Sequence, residues 1–161
     1  MEELVRLLKE RKLTISSAES LTGGFFASEL TSIPRASKVF PGSVVTYSND
    51  FKHKLLGVSD EVINSHGVIS KDCALMMSRG VKNLTGTDIG VSFTGNAGPD
   101  AMEGKPVGRV YMGITFHNDN KIVLECNFKG SRSEIRHKCV ETMVSYLKDL
   151  ICNENIVNES H

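Results

Sequence analysis

The tightest constraint on how this chain can fold is a pair of strand-like runs lying almost end to end. Val107 to Phe116 and Ile122 to Phe128 are rich in β-branched and aromatic residues, and a short polar turn from His117 to Lys121 joins them. A parallel crossover needs about a dozen residues or more, so these two runs pair as an antiparallel hairpin. Upstream, helix-like and strand-like stretches alternate, which favours helices on both faces of one sheet. The expectation is an α/β fold of three layers, α/β/α, around a mixed β-sheet.

The periodicity supplies the remaining elements. Leu4, Val5, Leu7 and Leu8 recur at helical spacing and predict a first helix from Glu2 to Arg11. Leu13 to Ser17 reads as a strand. The segment Ala18-Glu19-Ser20-Leu21-Thr22-Gly23-Gly24 reads as a turn into a helix through Phe25 and Leu30 that ends by Pro34. Val44 to Tyr47 reads as another strand. Ser48, Ser59 and Ser70 each stand where a side-chain oxygen can cap a following helix. Ile89 to Thr94 is a further strand. Ser131 and Glu134 fit a capping box that opens a last helix through Leu147. One domain over residues 1–152 is expected, with a polar tail over 153–161.

Composition narrows the function classes. Lys plus Arg number 19 and Asp plus Glu number 19, for a formal net charge of +0. That balance provides no long-range field for a nucleic-acid backbone or an anionic membrane. No apolar run approaches the ~20 residues of a membrane-spanning helix. The acidic, amphipathic start lacks the basic and apolar regions of a signal peptide. Cys73, Cys126, Cys139 and Cys152 are far apart, so free thiols in a reducing cytoplasm are expected rather than a disulfide framework or zinc site. The five histidines form no pair with ligand spacing, and no metal or cofactor is assigned.

Four segments have the residue types for chemistry. The turn with Ser20, Thr22, Gly23 and Gly24 suits either an anion at a helix start or a tight, capped turn. Ser37 sits in a polar loop, where most serines only cap or solvate. Tyr47 and Lys52 flank the carboxyl end of a strand, where ligands gather in open α/β sheets. A desolvated lysine there would serve as a base; otherwise the pair is a packed tyrosine and a solvated lysine. Thr94 and Gly95 leave a strand into a glycine-rich loop, which offers donors for an oxyanion or is simply a crossover.

In order along the chain, residues 18–24, Val45-Thr46-Tyr47-Ser48-Asn49 with Lys52, Leu56-Gly57-Val58, residues 66–70, residues 94–99 and Lys105-Pro106-Val107-Gly108 resemble the CinA C-terminal domain family. The likeness runs from about residue 3 to residue 150, and it is nearest to the stand-alone nicotinamide-nucleotide amidase form. It implies a three-layer fold, commonly a dimer, that hydrolyses nicotinamide mononucleotide to nicotinate mononucleotide and ammonia without a metal. It further implies Ser37 as nucleophile, Tyr47 and Lys52 as proton-transfer partners, and Arg132 as a clamp for phosphate or ribose. Ser20, Thr22, Gly23, Gly24, Thr94 and Gly95 would hold the substrate, with phosphate at the Gly23-Gly24 helix start.

The sequence also departs from the family pattern. Asp100-Ala101-Met102-Glu103 replaces a glycine-rich stretch, Asn96 replaces an aliphatic residue, Ser43 a glycine and Arg35 a small residue. A catalytically silent nucleotide-binding module of the same fold is therefore the rival expectation.

Overall fold

The computed structural model describes residues 1–153 of the 161. Six helices and five strands follow one another as α1 (Glu2–Arg11), β1 (Ile15–Glu19), α2 (Phe25–Thr31), β2 (Ser43–Val45), α3 (Asn49–Leu56), α4 (Asp60–His66), α5 (Lys71–Thr85), β3 (Ile89–Gly95), β4 (Arg109–Phe116), β5 (Lys121–Asn127) and α6 (Arg132–Cys152). The strands form one mixed sheet in the order β2-β1-β3-β4-β5. β1 runs parallel to both β2 and β3, whereas β3, β4 and β5 are antiparallel. The hairpin expected from the five-residue turn is the β4–β5 pair, in register from Arg109 opposite Asn127 to Thr115 opposite Lys121. Among the described residues no helix is long and apolar enough to cross a membrane. Most of the expected tail, residues 154–161, lies outside the described residues.

Helix starts follow the caps. Ser48, Ser59 and Ser70 each accept the backbone N–H three residues on, from Phe51, Val62 and Cys73. At α6 the Ser131 hydroxyl accepts from Glu134 N while the Glu134 carboxylate accepts from Ser131 N, a complete capping box.

β1 differs from its expected span, running to Glu19 instead of Ser17. As the inner parallel strand it is paired on both sides, with Glu19 opposite Val45 and Phe93. Its last two residues, Ala18 and Glu19, read as turn because a small residue and a glutamate before Ser20 and the Gly23-Gly24 pair lack the apolar look of a buried strand, yet all five β1 residues are buried. β2 is shorter than expected, because the chain leaves the sheet after Thr46 and carries Tyr47 out to 63% exposure. Residues 36–38, read as irregular loop, form a single 3-10 turn.

The strand pleat separates two unlike faces. Ile15, Ile89, Val91, Phe93, Val110, Met112 and Ile114 form an apolar face under α1, α2 and α6. The opposite face is small and polar, and α5 lies close against it. Ser92 Oγ donates to Ala74 O at 2.6 Å, and Ser78 and Thr115 share a hydroxyl contact of 2.7 Å. A Cβ built on Gly113 would fall 2.5 Å from Ala74 O, and one on Gly90 would run into Ser78 O. The approach of α5 therefore requires glycine at both strand positions.

That requirement is testable at Gly90, whose backbone has no positive φ. Gly90→Ala is expected to lower unfolding free energy by about 1–3 kcal/mol through overpacking alone. Urea denaturation should show a lower midpoint with an unchanged slope.

Candidate active site

From β1 the chain first crosses to β2 on one side and later to β3 on the other. β1 thus sits at a topological switch point, and a crevice opens beyond the carboxyl ends of its neighbours. A cleft of about 390 Å³ lies there, bounded by Ser20, Tyr47, Lys52, Thr94, Asn96 and Arg132, with Leu21, Val68 and Ile69 among its apolar lining.

Lys52 stands one turn into α3 but is only 1% exposed. Its Nζ donates to Ser20 Oγ at 3.1 Å. Burial pulls the Lys52 ammonium below the usual lysine range, while negative charge on Cys73 or Glu103 would push it back up. Burial drives the Cys73 thiol up to about 12, so at neutral pH it is uncharged and only Glu103 opposes the shift. A lysine held in this way gives up its proton more readily than a solvated one, and once it has, the same 3.1 Å contact lets Ser20 donate its proton to Nζ.

The turn after β1 is fastened from two sides. Glu19, fully buried, accepts from Phe26 N at 2.9 Å, from Ala27 N at 3.1 Å and from the Ser17 hydroxyl at 3.1 Å. From α6, Arg136 Nε donates to Leu21 O and its Nη2 to Thr22 O, both at 3.0 Å. Gly23 and Gly24 have φ of 57° and 98°, the left-handed region in which glycine carries no penalty.

These contacts correct the expectation of a phosphate at the Gly23-Gly24 helix start. The Glu19 carboxylate already occupies the free N–H groups of the first turn of α2, so that anion site is filled by the chain itself. Thr22 is fully buried, its Oγ1 has no partner among the described residues, and it does not border the cleft.

Tyr47 and Arg132 meet at the cleft mouth. Arg132 Nη2 donates to Tyr47 Oη at 2.9 Å and Nη1 to Gly98 O at 2.7 Å. Thr94 and Gly95 border the cleft, with the Thr94 hydroxyl donating to Val68 O at 2.7 Å. The two unusual residues of the next loop hold it in place. Asn96 Oδ1 accepts from Gly98 N and its Nδ2 donates to Asp100 O, both at 2.9 Å. Glu103 accepts from Val68 N at 3.0 Å and Ile69 N at 2.9 Å, tying the loop to the cleft wall.

Ser37 lies elsewhere, and its expected place beside Tyr47 and Lys52 is corrected by the chain path. It is exposed in the 3-10 turn and borders a separate depression with Pro34, Arg35 and Phe40. That turn is held to the start of β1, where Ile15 N donates to Val39 O at 2.8 Å. Lys52 and Ser20 lie beyond the other end of β1, and four strand steps of about 3.3 Å separate those ends by about 13 Å. The sequence assigns no role to Glu19 or Arg136, and it marks Asn96 and Glu103 only as departures from the family pattern. Arg136 had one available signal, its position one helical turn after Arg132 on the same helix.

The fold and the cleft define a three-layer α/β/α protein with a buried lysine facing a serine at a strand's carboxyl end. The chain belongs to the CinA C-terminal domain family, whose model matches residues 1–151. It is 45% identical over 151 residues to a protein of Bacillus pumilus, covering 94% of this chain and 36% of that one. It is 49% identical over 138 residues to one of Bacillus subtilis, covering 86% and 33%. Both bear the name competence-damage inducible protein, and the chain spans about a third of their length. Among solved structures, a CinA superfamily protein of Klebsiella pneumoniae superposes with a TM-score of 0.91 at 28% identity, covering 94% of each chain. The competence/damage inducible protein CihA of Agrobacterium tumefaciens gives 0.82 at 36% identity, covering 94% of this chain and 93% of that one.

The lowered Lys52 value carries a stability signature. Between the folded value and the unfolded ~10.4 the unfolded chain holds the extra proton, so wild-type stability rises with pH across that window. Lys52→Met lacks this dependence. Its melting temperature is expected to equal or exceed that of wild type at pH ~7, with the gap closing towards pH ~10. A Met variant that melts well below wild type at neutral pH would show that the buried ammonium is stabilising.

Proposed function

We propose that this chain is an amidase that hydrolyses the carboxamide of nicotinamide mononucleotide, giving nicotinate mononucleotide and ammonia for pyridine nucleotide salvage. The observation that carries the reading is the 3.1 Å contact between Ser20 Oγ and the buried Lys52 Nζ, at the floor of a cleft with Arg132 at its mouth. The family resemblance supplies the substrate. Ser20 takes the nucleophile role that the resemblance gave to Ser37.

The neutral Lys52 amine accepts the Ser20 proton as Oγ attacks the carboxamide carbon, which the electron-poor pyridinium ring makes electrophilic. The tetrahedral adduct collapses, breaking the C–N bond, and Lys52 returns the proton to the departing ammonia. Water, deprotonated by the same amine, then cleaves the acyl ester, releasing the carboxylate and restoring Ser20. The backbone N–H of Leu21, a residue that borders the cleft, has no acceptor among the described residues and is a candidate to receive the oxyanion. Tyr47 and Arg132 act at the mouth, where three of the five guanidinium donors remain for a phosphate. The ties made by Asn96 and Glu103 argue against the silent-module reading, since the unusual loop still shapes the cleft. Unpaired thiols at all four cysteines fit a cytoplasmic setting, and a homodimer rests on the resemblance alone.

Ammonia release from nicotinamide mononucleotide by the purified chain tests the reaction. Ser20→Ala is expected to lower kcat by about 10³-fold or more, with Ser37→Ala within about twofold of wild type. The reverse pattern would return the nucleophile to Ser37, and nucleotide binding without turnover would favour the silent module. Arg132→Ala is expected to raise KM for the mononucleotide about 10- to 100-fold, the worth of a lost charge-assisted contact, while the value for the riboside stays put. Equal losses for both substrates would remove phosphate from the role of Arg132.

A further inference from the structure

Among the described residues Arg136 borders neither the cleft nor an acidic partner, yet two of its guanidinium nitrogens donate to the backbone of one short turn. Its Nε reaches Leu21 O and its Nη2 reaches Thr22 O, each at 3.0 Å. The guanidinium sits so close that a Cβ on Gly23 would lie 3.3 Å from Nη2, a tight approach at a residue whose φ of 57° already favours glycine. One helical turn earlier on α6, Arg132 grips the opposite wall through Gly98 O and Tyr47 Oη. The start of α6 thus spans the cleft and holds both of its sides.

We propose that Arg136 is a positioning residue for Ser20 and for the Leu21 N–H beside it, an inference that rests on the amidase reading of this site. The Leu21–Thr22 peptide is trans, so its C=O and N–H point in opposite directions. Aiming the Leu21 carbonyl at Arg136 therefore fixes the plane of the peptide that follows Leu21, a residue that borders the cleft and whose own N–H has no acceptor among the described residues. The Thr22 carbonyl is held by the same planar fork, so two successive peptide planes are fixed by one rigid group. Gly23 N donates to Ser20 O at 3.0 Å, which closes the turn on the serine itself. Rotation of these planes would move Ser20 Oγ away from Lys52 Nζ and withdraw the donor together. A lysine at 136 supplies one point charge and lacks the two-pronged geometry.

The test compares Arg136→Ala and Arg136→Lys with wild type in ammonia release from nicotinamide mononucleotide, with melting temperatures measured alongside. Arg136→Ala is expected to lower kcat about 100-fold, the cost of a reacting group misplaced by about an ångström, with KM changed less than about threefold. Added guanidinium ion should restore part of the lost kcat in Arg136→Ala, and it should leave wild type unaffected. The rate at which phenylmethanesulfonyl fluoride labels Ser20, followed by intact mass, should fall in parallel. Slower labelling in both variants, combined with no ammonia release even from wild type, would keep the positioning role and overturn the substrate. Wild-type kcat and labelling rate in a folded Arg136→Ala would overturn the proposal. So would a loss of activity that only tracks the melting temperature and that guanidinium does not relieve.

Discussion

The fold of this chain turns on a buried carboxylate. Glu19 is fully removed from water and meets no cation among the described residues; its oxygens accept instead from two helix N–H groups and the Ser17 hydroxyl. A charge without such donors would cost several kcal/mol to bury, so the end of β1, the turn and the start of α2 are stable only when formed together. The next residue is Ser20. The same contact that completes the fold therefore fixes the backbone from which Ser20 projects, and it fills the anion site that a helix start would otherwise offer.

This arrangement has a consequence for the polarity of any bound nucleotide. With the α2 start occupied, positive charge at the cleft rests with Lys52 at the floor and Arg132 at the mouth. In the proposed reaction the amine must be neutral to take a proton, which leaves Arg132 as the partner for a phosphate. The carboxamide end then points to the floor and the phosphate end to the opening. The apolar residues between them, Leu21, Val68 and Ile69, suit the flat ring that joins the two ends.

Much of this was legible in the sequence, and for local reasons. The serine caps at 48, 59, 70 and 131, the short turn before Lys121 and the periodicity of α1 are written within a few residues of the elements they determine. Tyr47, Lys52, Thr94 and Arg132 were gathered by their places at strand ends and by family likeness, and the structure brings all four to one cleft. What escaped was set by distant pairing. Glu19 looks like a surface residue until α2 folds back on it. Arg136 acts across 115 positions of sequence, and Ser37 is separated from Lys52 by the full length of a strand that its own turn is anchored to. No local pattern encodes which end of β1 a loop will fasten to.

The close packing of α5 explains how a lysine can be kept dry at this position. The Ser92 and Thr115 hydroxyls reach α5 at Ala74 O and the Ser78 hydroxyl, and Gly90 and Gly113 leave room for its backbone. The helix is thereby drawn down beside the cleft floor, bringing Cys73, Ala74 and Met77 into one buried cluster with Leu56 of α3 and Cys73 within electrostatic reach of Lys52. Lys52 follows from that packing, because its long stem buries apolar surface while Nζ reaches Ser20, its one named hydrogen-bond partner. Looser packing would admit water, return the ammonium to its ordinary range and leave the serine without a base. The small residues of the polar sheet face and the chemistry proposed at Ser20 are thus parts of one constraint, the exclusion of solvent from a single amine.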